Sequence, residues 1–203
     1  MKRIKSCLGL GAVGLILIIS GCISIPNSPT SRFYMLSIVD ENQVSKKIDL
    51  ASNMVIGVGP VKIPEYLNRP QMVTLSKEKM LQIAQFDRWG ESLDLGVASL
   101  IREDLTVMLP KAKLTLYPWN SSVVVKYQVI AEIVQLDSEL NGDMSFVVQW
   151  MIIDVQNSKV MIIKRSAFHQ PIIPPNYSGL AKTLSSACAS LSSQIAEALA
   201  TLK

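Results

Sequence analysis

The sequence is poor in the residues that build metal sites and nucleophilic active sites. It contains 1 histidine, His169, and 3 cysteines, Cys7, Cys22 and Cys188. A zinc site needs closely spaced His and Cys ligands, and a catalytic triad needs a histidine beside its nucleophile. The sequence shows neither spacing, and it has no glycine-rich phosphate loop. It therefore predicts no metal, no cofactor and no enzymatic activity.

One hydrolytic alternative stays open, because carboxylates cluster ahead of the first predicted helix. These are Asp87, Glu91 and Asp94, which also complement the positive N-terminal end of a helix dipole. An envelope hydrolase would lose its activity, but not its fold, when Glu91 or His169 is replaced.

The chain lacks the excess of positive charge that nucleic-acid binding requires. Its formal net charge is +4, from 20 basic and 16 acidic residues. Three of the basic residues, Lys2, Arg3 and Lys5, lie at the extreme N-terminus. The rest of the chain is nearly neutral, so it cannot neutralise a row of phosphates, and a nucleic-acid partner is excluded.

The N-terminus has the layout of a secretory signal peptide. A basic stretch (1–6) is followed by an apolar stretch (7–19), which is shorter than the roughly 20 residues that cross a bilayer. Ile19-Ser20-Gly21-Cys22 resembles the lipobox of bacterial lipoproteins, in which cleavage after Gly21 leaves an acylated Cys22. We therefore expect a cleaved signal peptide at 1–21. The alternative is an uncleaved anchor with an incidental cysteine.

The residues after the cleavage point predict a lipid-anchored tether. Segment 22–31 is rich in Ser and Pro and cannot build a packed core. Nine residues of it span roughly 30 Å when fully extended. In enterobacterial lipoproteins an Asp after the acylated cysteine retains the protein in the inner membrane. Ile23 stands there, which favours the outer membrane, with the folded domain (32–203) facing the periplasm.

Two periodicities predict the fold of this domain. Runs of β-branched and aromatic residues predict strands at 33–39, 54–61, 71–75, 80–86, 123–136, 146–155 and 160–166. Apolar residues at spacings of three and four predict helices from Ser92 to Pro110 and over 178–202. We expect one α+β domain, with a mainly antiparallel sheet and two amphipathic helices packed on one face. Cys188 lies on the apolar face of the second helix.

Apolar and aromatic residues interrupt two segments that otherwise read as surface connections. The connector 62–70 contains Tyr66, Leu67 and Arg69, and the segment before the first helix contains Trp89. Tyr, Trp and Arg are enriched in the energetically important parts of protein interfaces, which predicts a partner-binding surface. The alternative is that Tyr66 and Trp89 only cover the sheet edge and the start of the helix.

Three motifs also carry a family resemblance. They are Phe33-Tyr34-Met35-Leu36, the connector with its flanks (Val58-Gly59-Pro60-Val61 to Ile63-Pro64-Glu65-Tyr66-Leu67-x-Arg69-Pro70-Gln71), and Trp89-Gly90-Glu91-Ser92-Leu93. Their order and spacing resemble the PqiC-like family, the ABC-type transport auxiliary lipoproteins. Many members have proline where this chain has Ser92, so the start of the helix is expected to differ locally.

The resemblance implies a role that composition does not show. Such lipoproteins accompany transport systems built around MCE-domain proteins, which bridge the periplasm and move lipids between the two membranes. The lipoprotein would dock the MCE protein at the outer membrane and support envelope integrity. Because MCE proteins form rings, a homo-oligomer is also implied. A second interpretation is a lipoprotein that itself carries a phospholipid between sheet and helices.

Replacing the proposed lipidation residue gives a direct test. We expect Cys22→Ala to abolish both acylation, for example with palmitate, and cleavage of the signal peptide. Intact-mass spectrometry of the membrane fraction would then find an unprocessed chain without lipid. Cys7→Ala is the matched control and should be cleaved and acylated normally. Acylation that persists in Cys22→Ala would contradict the assignment.

Overall fold

The computed structural model of the chain describes residues 29–38, 47–50 and 54–202. The predicted cleavage site at Gly21 and lipidation site at Cys22 lie outside these residues. One compact unit spans Ser31–Lys203. In the part of this unit that is described, no helix is both long and apolar enough to cross a membrane.

Within the described residues of this unit, eight strands and two helices follow one another. The strands are β1 (Arg32–Tyr34), β2 (Val55–Lys62), β3 (Gln71–Leu75), β4 (Leu81–Trp89), β5 (Lys113–Leu116), β6 (Tyr127–Ser138), β7 (Asp143–Asp154) and β8 (Lys159–Pro171). Helix α1 (Leu93–Met108) lies between β4 and β5, and helix α2 (Tyr177–Ala200) follows β8. A short 3-10 helix (Glu65–Leu67) lies between β2 and β3.

The strands form two mixed sheets. The larger has the order β5-β2-β6-β7-β8, and the smaller has the order β1-β4-β3. Strands β6, β7 and β8 form an antiparallel meander, and β3 and β4 form an antiparallel hairpin. Strand β2, in contrast, runs parallel to both of its neighbours. The predicted α+β class is confirmed, but the strands form two sheets where we predicted one.

Local sequence pattern and observed strands disagree where pairing partners are distant in the chain. Strand β5 was not among the predicted strands, because its four residues become a strand only by pairing with β2. Strand β1 ends at Tyr34, five residues before the predicted end. Beyond it the backbone N–H of Ser37 donates to Ser185 Oγ of α2 over 3.0 Å. That contact joins the segment after β1 to helix α2.

The helices match their predicted stripes and build one core with both sheets. The predicted apolar stripes are buried throughout: Leu93, Val97, Leu100, Ile101, Leu105 and Met108 in α1, and Leu180, Leu184, Cys188, Leu191, Ile195 and Leu199 in α2. Helix α1 packs on β2 and β5, α2 packs on β7 and β8, and the helices contact each other. Burying one such Leu or Ile contributes about 1.5–3 kcal/mol.

Local contacts at the helix termini and at Cys188 also follow the sequence. The Asn176 side chain caps α2 by accepting a hydrogen bond from the Gly179 backbone N–H over 2.9 Å. Ser92 occupies the N-cap of α1 without a capping side-chain hydrogen bond. Burial raises the pKa of the Cys188 thiol. Since only the thiolate is nucleophilic, Cys188 acts as a small core residue, as predicted.

The face of the larger sheet opposite the helices has its own packing contact at β2. Ile56 and Val58 point into the core, so Gly57 between them faces the other way. The ring of Trp119, from the connection between β5 and β6, lies directly on Gly57. A Cβ atom added there would be 2.4 Å from Trp119 Cζ3. Gly57 is therefore a packing requirement of this aromatic contact.

The contact between Gly57 and Trp119 can be tested by a double-mutant cycle. We expect Gly57→Ala to lower the free energy of unfolding by about 1–3 kcal/mol, because the added methyl group overlaps the indole. In a Trp119→Ala background the same substitution should cost much less. Urea unfolding of the four proteins measures the coupling. Gly142→Ala is the control, since its added Cβ lies no closer than 3.4 Å to any neighbour; equal costs in both backgrounds would refute the contact.

Candidate partner-binding surface

The connector between β2 and β3 is a compact turn held by its own backbone. The Leu67 N–H donates to the Pro64 carbonyl over 2.9 Å, and the Asn68 N–H donates to the Glu65 carbonyl over 3.0 Å. A further bond of 2.8 Å joins the Arg69 N–H to the Leu67 carbonyl. The flanking prolines have fixed φ angles, which reduces the conformational freedom of the turn further. The segment is therefore preorganised.

The side chains of this turn differ in how far they are exposed to solvent. Leu67 is 3% exposed and belongs to the core. Glu65 and Asn68 are exposed, whereas Tyr66 and Arg69 are half-buried. We call these four residues, Glu65, Tyr66, Asn68 and Arg69, the connector surface. Of the partner-binding residues predicted in this segment, Tyr66 and Arg69 reach solvent. The Leu67 side chain instead anchors the turn in the core.

Tyr66 joins the connector surface to the larger sheet. Burial raises the pKa of its hydroxyl, and a hydrogen bond with the backbone of Leu136 in β6 acts in the opposite direction. The phenol therefore stays protonated at neutral pH and is held against β6. A half-buried tyrosine in a fixed position loses little conformational entropy when a partner covers it, which suits it to an interface.

Trp89 lies next to the connector, but its side chain faces the core. It is the last residue of β4 and is 7% exposed. Its backbone N–H donates to the Pro70 carbonyl over 2.8 Å, so the two segments that the sequence nominated separately are joined at this bond. Trp89 and Leu67 thus support the connector surface from the inside.

A charged cluster fixes β1 to β4 beside Trp89. The Arg32 guanidinium donates two hydrogen bonds to Asp87, from Nε to Oδ1 over 2.7 Å and from Nη2 to Oδ2 over 2.8 Å. The Tyr34 hydroxyl donates to Asp87 Oδ1 over 2.7 Å. Arg32 and Asp87 are direct partners in the parallel pairing of these strands. We call these three residues the β1 clamp.

Electrostatics of the β1 clamp keep Asp87 ionised. Hydrogen bonds from Arg32 lower the pKa of this carboxyl, helped by Tyr34 and by the charge of Arg32, and they outweigh the opposing effect of burial. Asp87 is only 4% exposed. The sequence had grouped Asp87 with the carboxylates near α1, and nothing local signals its true partners, which lie more than fifty positions away.

The other candidate hydrolytic residues occupy separate elements. Glu91 is exposed before α1, and Asp94 lies in the first turn of that helix. His169 lies near the end of β8, with Nδ1 2.9 Å from Ser145 Oγ. Asp137 pairs with Ser145 from the opposite side, so the serine stands between the acid and the histidine. A catalytic triad needs the histidine in the middle, and this row does not supply that relay.

Comparisons with known proteins place this arrangement in a family. Residues 34–196 match the family described as the ABC-type transport auxiliary lipoprotein component. No protein of curated function matches the chain. The fold is similar to the crystal structure of an uncharacterised protein, with TM-score 0.68 and 18% identity, covering 84% of this chain and 99% of that chain. It is also similar to a protein from Xanthomonas campestris, with TM-score 0.63 and 8% identity, covering 81% and 92%.

The β1 clamp makes the stability of the domain depend on acidity. The pKa of Asp87 is lower in the folded state than in the unfolded chain, so its contribution is complete above the ordinary carboxyl pKa of about 4 and is lost as pH falls through the lower folded value. Asp154, paired with Lys126 and Asn157, adds to this trend with a pKa of about 2. We expect Asp87→Asn to destabilise the domain at pH 7 by about 1–2 kcal/mol. Between pH 5 and 2, the free energy of unfolding of this variant should fall less steeply than that of the unsubstituted chain.

Chemical denaturation at a series of pH values measures this change. Asp143→Asn is the control, because Asp143 is exposed at the start of β7 and should leave the profile as it is. An Asp87→Asn profile parallel to that of the unsubstituted chain would show that the clamp carboxylate does not contribute to the acid sensitivity.

Proposed function

The chain belongs to the family of ABC-type transport auxiliary lipoproteins, and we propose that it docks an MCE-domain protein at the outer membrane. In this role it is a lipid-anchored subunit of a system that moves lipids between the two membranes, and it supports the integrity of the envelope. The domain faces the periplasm and contributes binding rather than catalysis. A homo-oligomer would match the ring symmetry of an MCE partner.

The observation that carries this proposal is the preorganised connector surface. Three backbone hydrogen bonds hold the turn, and the buried Leu67 side chain fixes it to the core. Tyr66 is held against β6, and Arg69 directly precedes Pro70, whose carbonyl accepts the hydrogen bond from the Trp89 N–H. A Tyr side chain held in place, with an Arg nearby and a well-packed base below, is an arrangement from which interface hot spots are built.

The proposed anchor also fits the structure of the domain where the tether would join it. Ser31 directly precedes β1, and Arg32 is a member of the β1 clamp. One acyl chain gives only marginal membrane binding, whereas two or three on Cys22 hold the chain stably. The β1 clamp fixes to β4 the strand that directly follows the proposed tether.

A non-enzymatic role is consistent with the state of the candidate reactive groups. Cys188 is fully buried with a raised thiol pKa. Asp87 is committed to Arg32 and Tyr34, and among the described residues no acid is hydrogen-bonded to His169 of the Ser145–His169 pair. The family role, transport assistance, needs no chemical step from the chain. We therefore propose that catalysis is no part of its function.

Lipid carriage is the alternative, and one observation near α1 bears on it. Between β1, β4 and the start of α1 lies a cavity of about 10 Å³, lined in part by Tyr34, Met35, Trp89 and Leu93. That volume holds about one water molecule and no acyl chain. Extraction of the purified full-length protein followed by lipid mass spectrometry separates the two roles. Noncovalent phospholipid at one molecule per chain would favour carriage over docking.

The connector surface can be tested without disturbing the core. We expect Tyr66→Ala combined with Arg69→Ala to reduce copurification of a coexpressed MCE-domain partner at least tenfold, because both side chains reach solvent there. The thermal midpoint should fall only modestly. Lys182→Ala with Glu197→Ala, two exposed positions of α2, is the matched control and should leave copurification unchanged.

The core residues below the surface provide a second comparison. Leu67→Ala and Trp89→Ala should lower stability by about 2–5 kcal/mol, since each removes a large buried side chain. Loss of the partner in these variants would reflect a damaged fold. Full retention of the partner by a stable Tyr66→Ala, Arg69→Ala protein would overturn the assignment of the connector surface.

A further inference from the structure

Strand β8 presents a long free edge of the larger sheet. It is the last strand in the order β5-β2-β6-β7-β8 and pairs with β7 on one side. In the described segments of the chain, no strand pairs with its other side. Its 13 residues span about 43 Å at 3.3 Å per residue. Every second residue of such an edge points its backbone N–H and carbonyl outwards, ready to pair with another strand.

The edge carries positive charge and no carboxylate. Within Lys159–Pro171 the charged residues are Lys159, Lys164 and Arg165, and there is no Asp or Glu. Lys164 and Arg165 are exposed at the middle of the strand. The Lys164 Nζ lies 5.8 Å from the centroid of the Trp150 ring, and no contact of Arg165 with a carboxylate is found among the described residues. These cations are available to a partner.

Proteins often protect free strand edges from unwanted pairing with lysine, proline or a bulge. The position of each such feature in β8 therefore bears on whether this edge avoids a partner strand or binds one. The register irregularity in the β7–β8 pairing lies between Ile152 and Ile153, near the start of β8. The proline, Pro171, is the last residue of the strand. The stretch 162–170 between them pairs regularly with β7. Ile163 in this stretch is 60% exposed, which an edge built only for protection would avoid.

The β8 strand of a second copy does not suit this edge. The centre of β8 is Arg165, next to Lys164. Antiparallel pairing of two β8 strands about that centre places the two Arg165 side chains opposite each other, with each Lys164 opposite Ser166. Like charges directly opposite each other destabilise a strand pair. The charge of the edge therefore selects an occupant of opposite sign.

We propose that the outer edge of β8 accepts an extended acidic segment of a partner protein as a sixth strand of the sheet. Backbone hydrogen bonds to the free edge supply affinity, and carboxylates opposite Lys164 and Arg165 supply register and specificity. The surface is separate in sequence and fold from the connector surface, so the two can fail independently.

The geometry of β8 also specifies which residues the partner segment needs. Arg165 lies on the open face of the sheet with Ile163 and Ala167, whereas Lys164 lies on the helix-bearing face beside Trp150. Adjacent residues of an added strand point to opposite faces. Two adjacent carboxylates therefore meet the two cations, and β-branched residues on either side of them cover the exposed Ile163.

A synthetic peptide tests the proposal on the full-length lipidated protein in nonionic detergent. The probe is a fluorescein-labelled decapeptide with two adjacent central glutamates between alternating threonine and valine. We expect saturable binding by fluorescence anisotropy. A peptide with lysines in place of the glutamates should bind at least tenfold more weakly. N-methylation of both glutamate amides should also weaken binding at least tenfold, because it blocks strand pairing while the charge is kept.

Charge reversal on the protein completes the test. Lys164→Glu with Arg165→Glu should reverse the preference, so that the lysine peptide binds better than the glutamate peptide. Lys77→Glu with Lys182→Glu, exposed positions outside β8, makes the same change in net charge and should leave the preference as it is. Equal binding of the N-methylated peptide, or equal loss in the control variant, would overturn the proposal. So would self-association abolished by Lys164→Glu with Arg165→Glu, since the occupant would then be a second copy.

Discussion

The packing of α2 is the contact on which the rest of the structure depends. The helix packs on β7 and β8, contacts α1 and also contacts β1 of the smaller sheet, so it joins both sheets into one core. Such close approach needs small residues, and the buried face of α2 includes Gly179, Ala181, Ala187 and Ser192. A Cβ added at Gly179 would be 1.8 Å from the Pro174 carbonyl oxygen. The Asn176 cap and this glycine together set the point at which the helix can begin.

Local periodicity predicted the parts of the fold that local forces decide. Both helices, the β3–β4 hairpin and the β6–β7–β8 meander follow from apolar spacing and from turns between neighbouring segments. The parallel pairs of β2, the short β5 and the division into two sheets depend on partners far away in the chain, which no local pattern encodes. The candidate site divides in the same way. Tyr66 and Arg69 reach solvent, whereas Leu67 and Trp89 are buried. The sequence does not distinguish these two cases, because an apolar residue in a connection can either contact a partner or anchor the turn in the core.

The two surfaces proposed for partners rest on different physics. The connector surface relies on preorganisation, since its turn is fixed by backbone hydrogen bonds and by the buried Leu67. The edge of β8 relies on backbone groups and on the charges of Lys164 and Arg165. A rigid surface favours slow dissociation from one defined partner, whereas a charged edge accelerates encounter and depends on salt. One domain can thus offer a steady contact and a second, salt-sensitive one.

The β1 clamp has a mechanical consequence for a domain held by a tether. With the proposed lipid anchor and a bound partner, tension between them would pass along the chain through Ser31 into β1. The first strong contact that it meets is the ion pair between Arg32 and Asp87, in which two hydrogen bonds must break together. The third bond, from Tyr34, reaches the same carboxylate two residues further on. Such tension would have to break these hydrogen bonds, as well as the strand pairing, before it could separate β1 from β4.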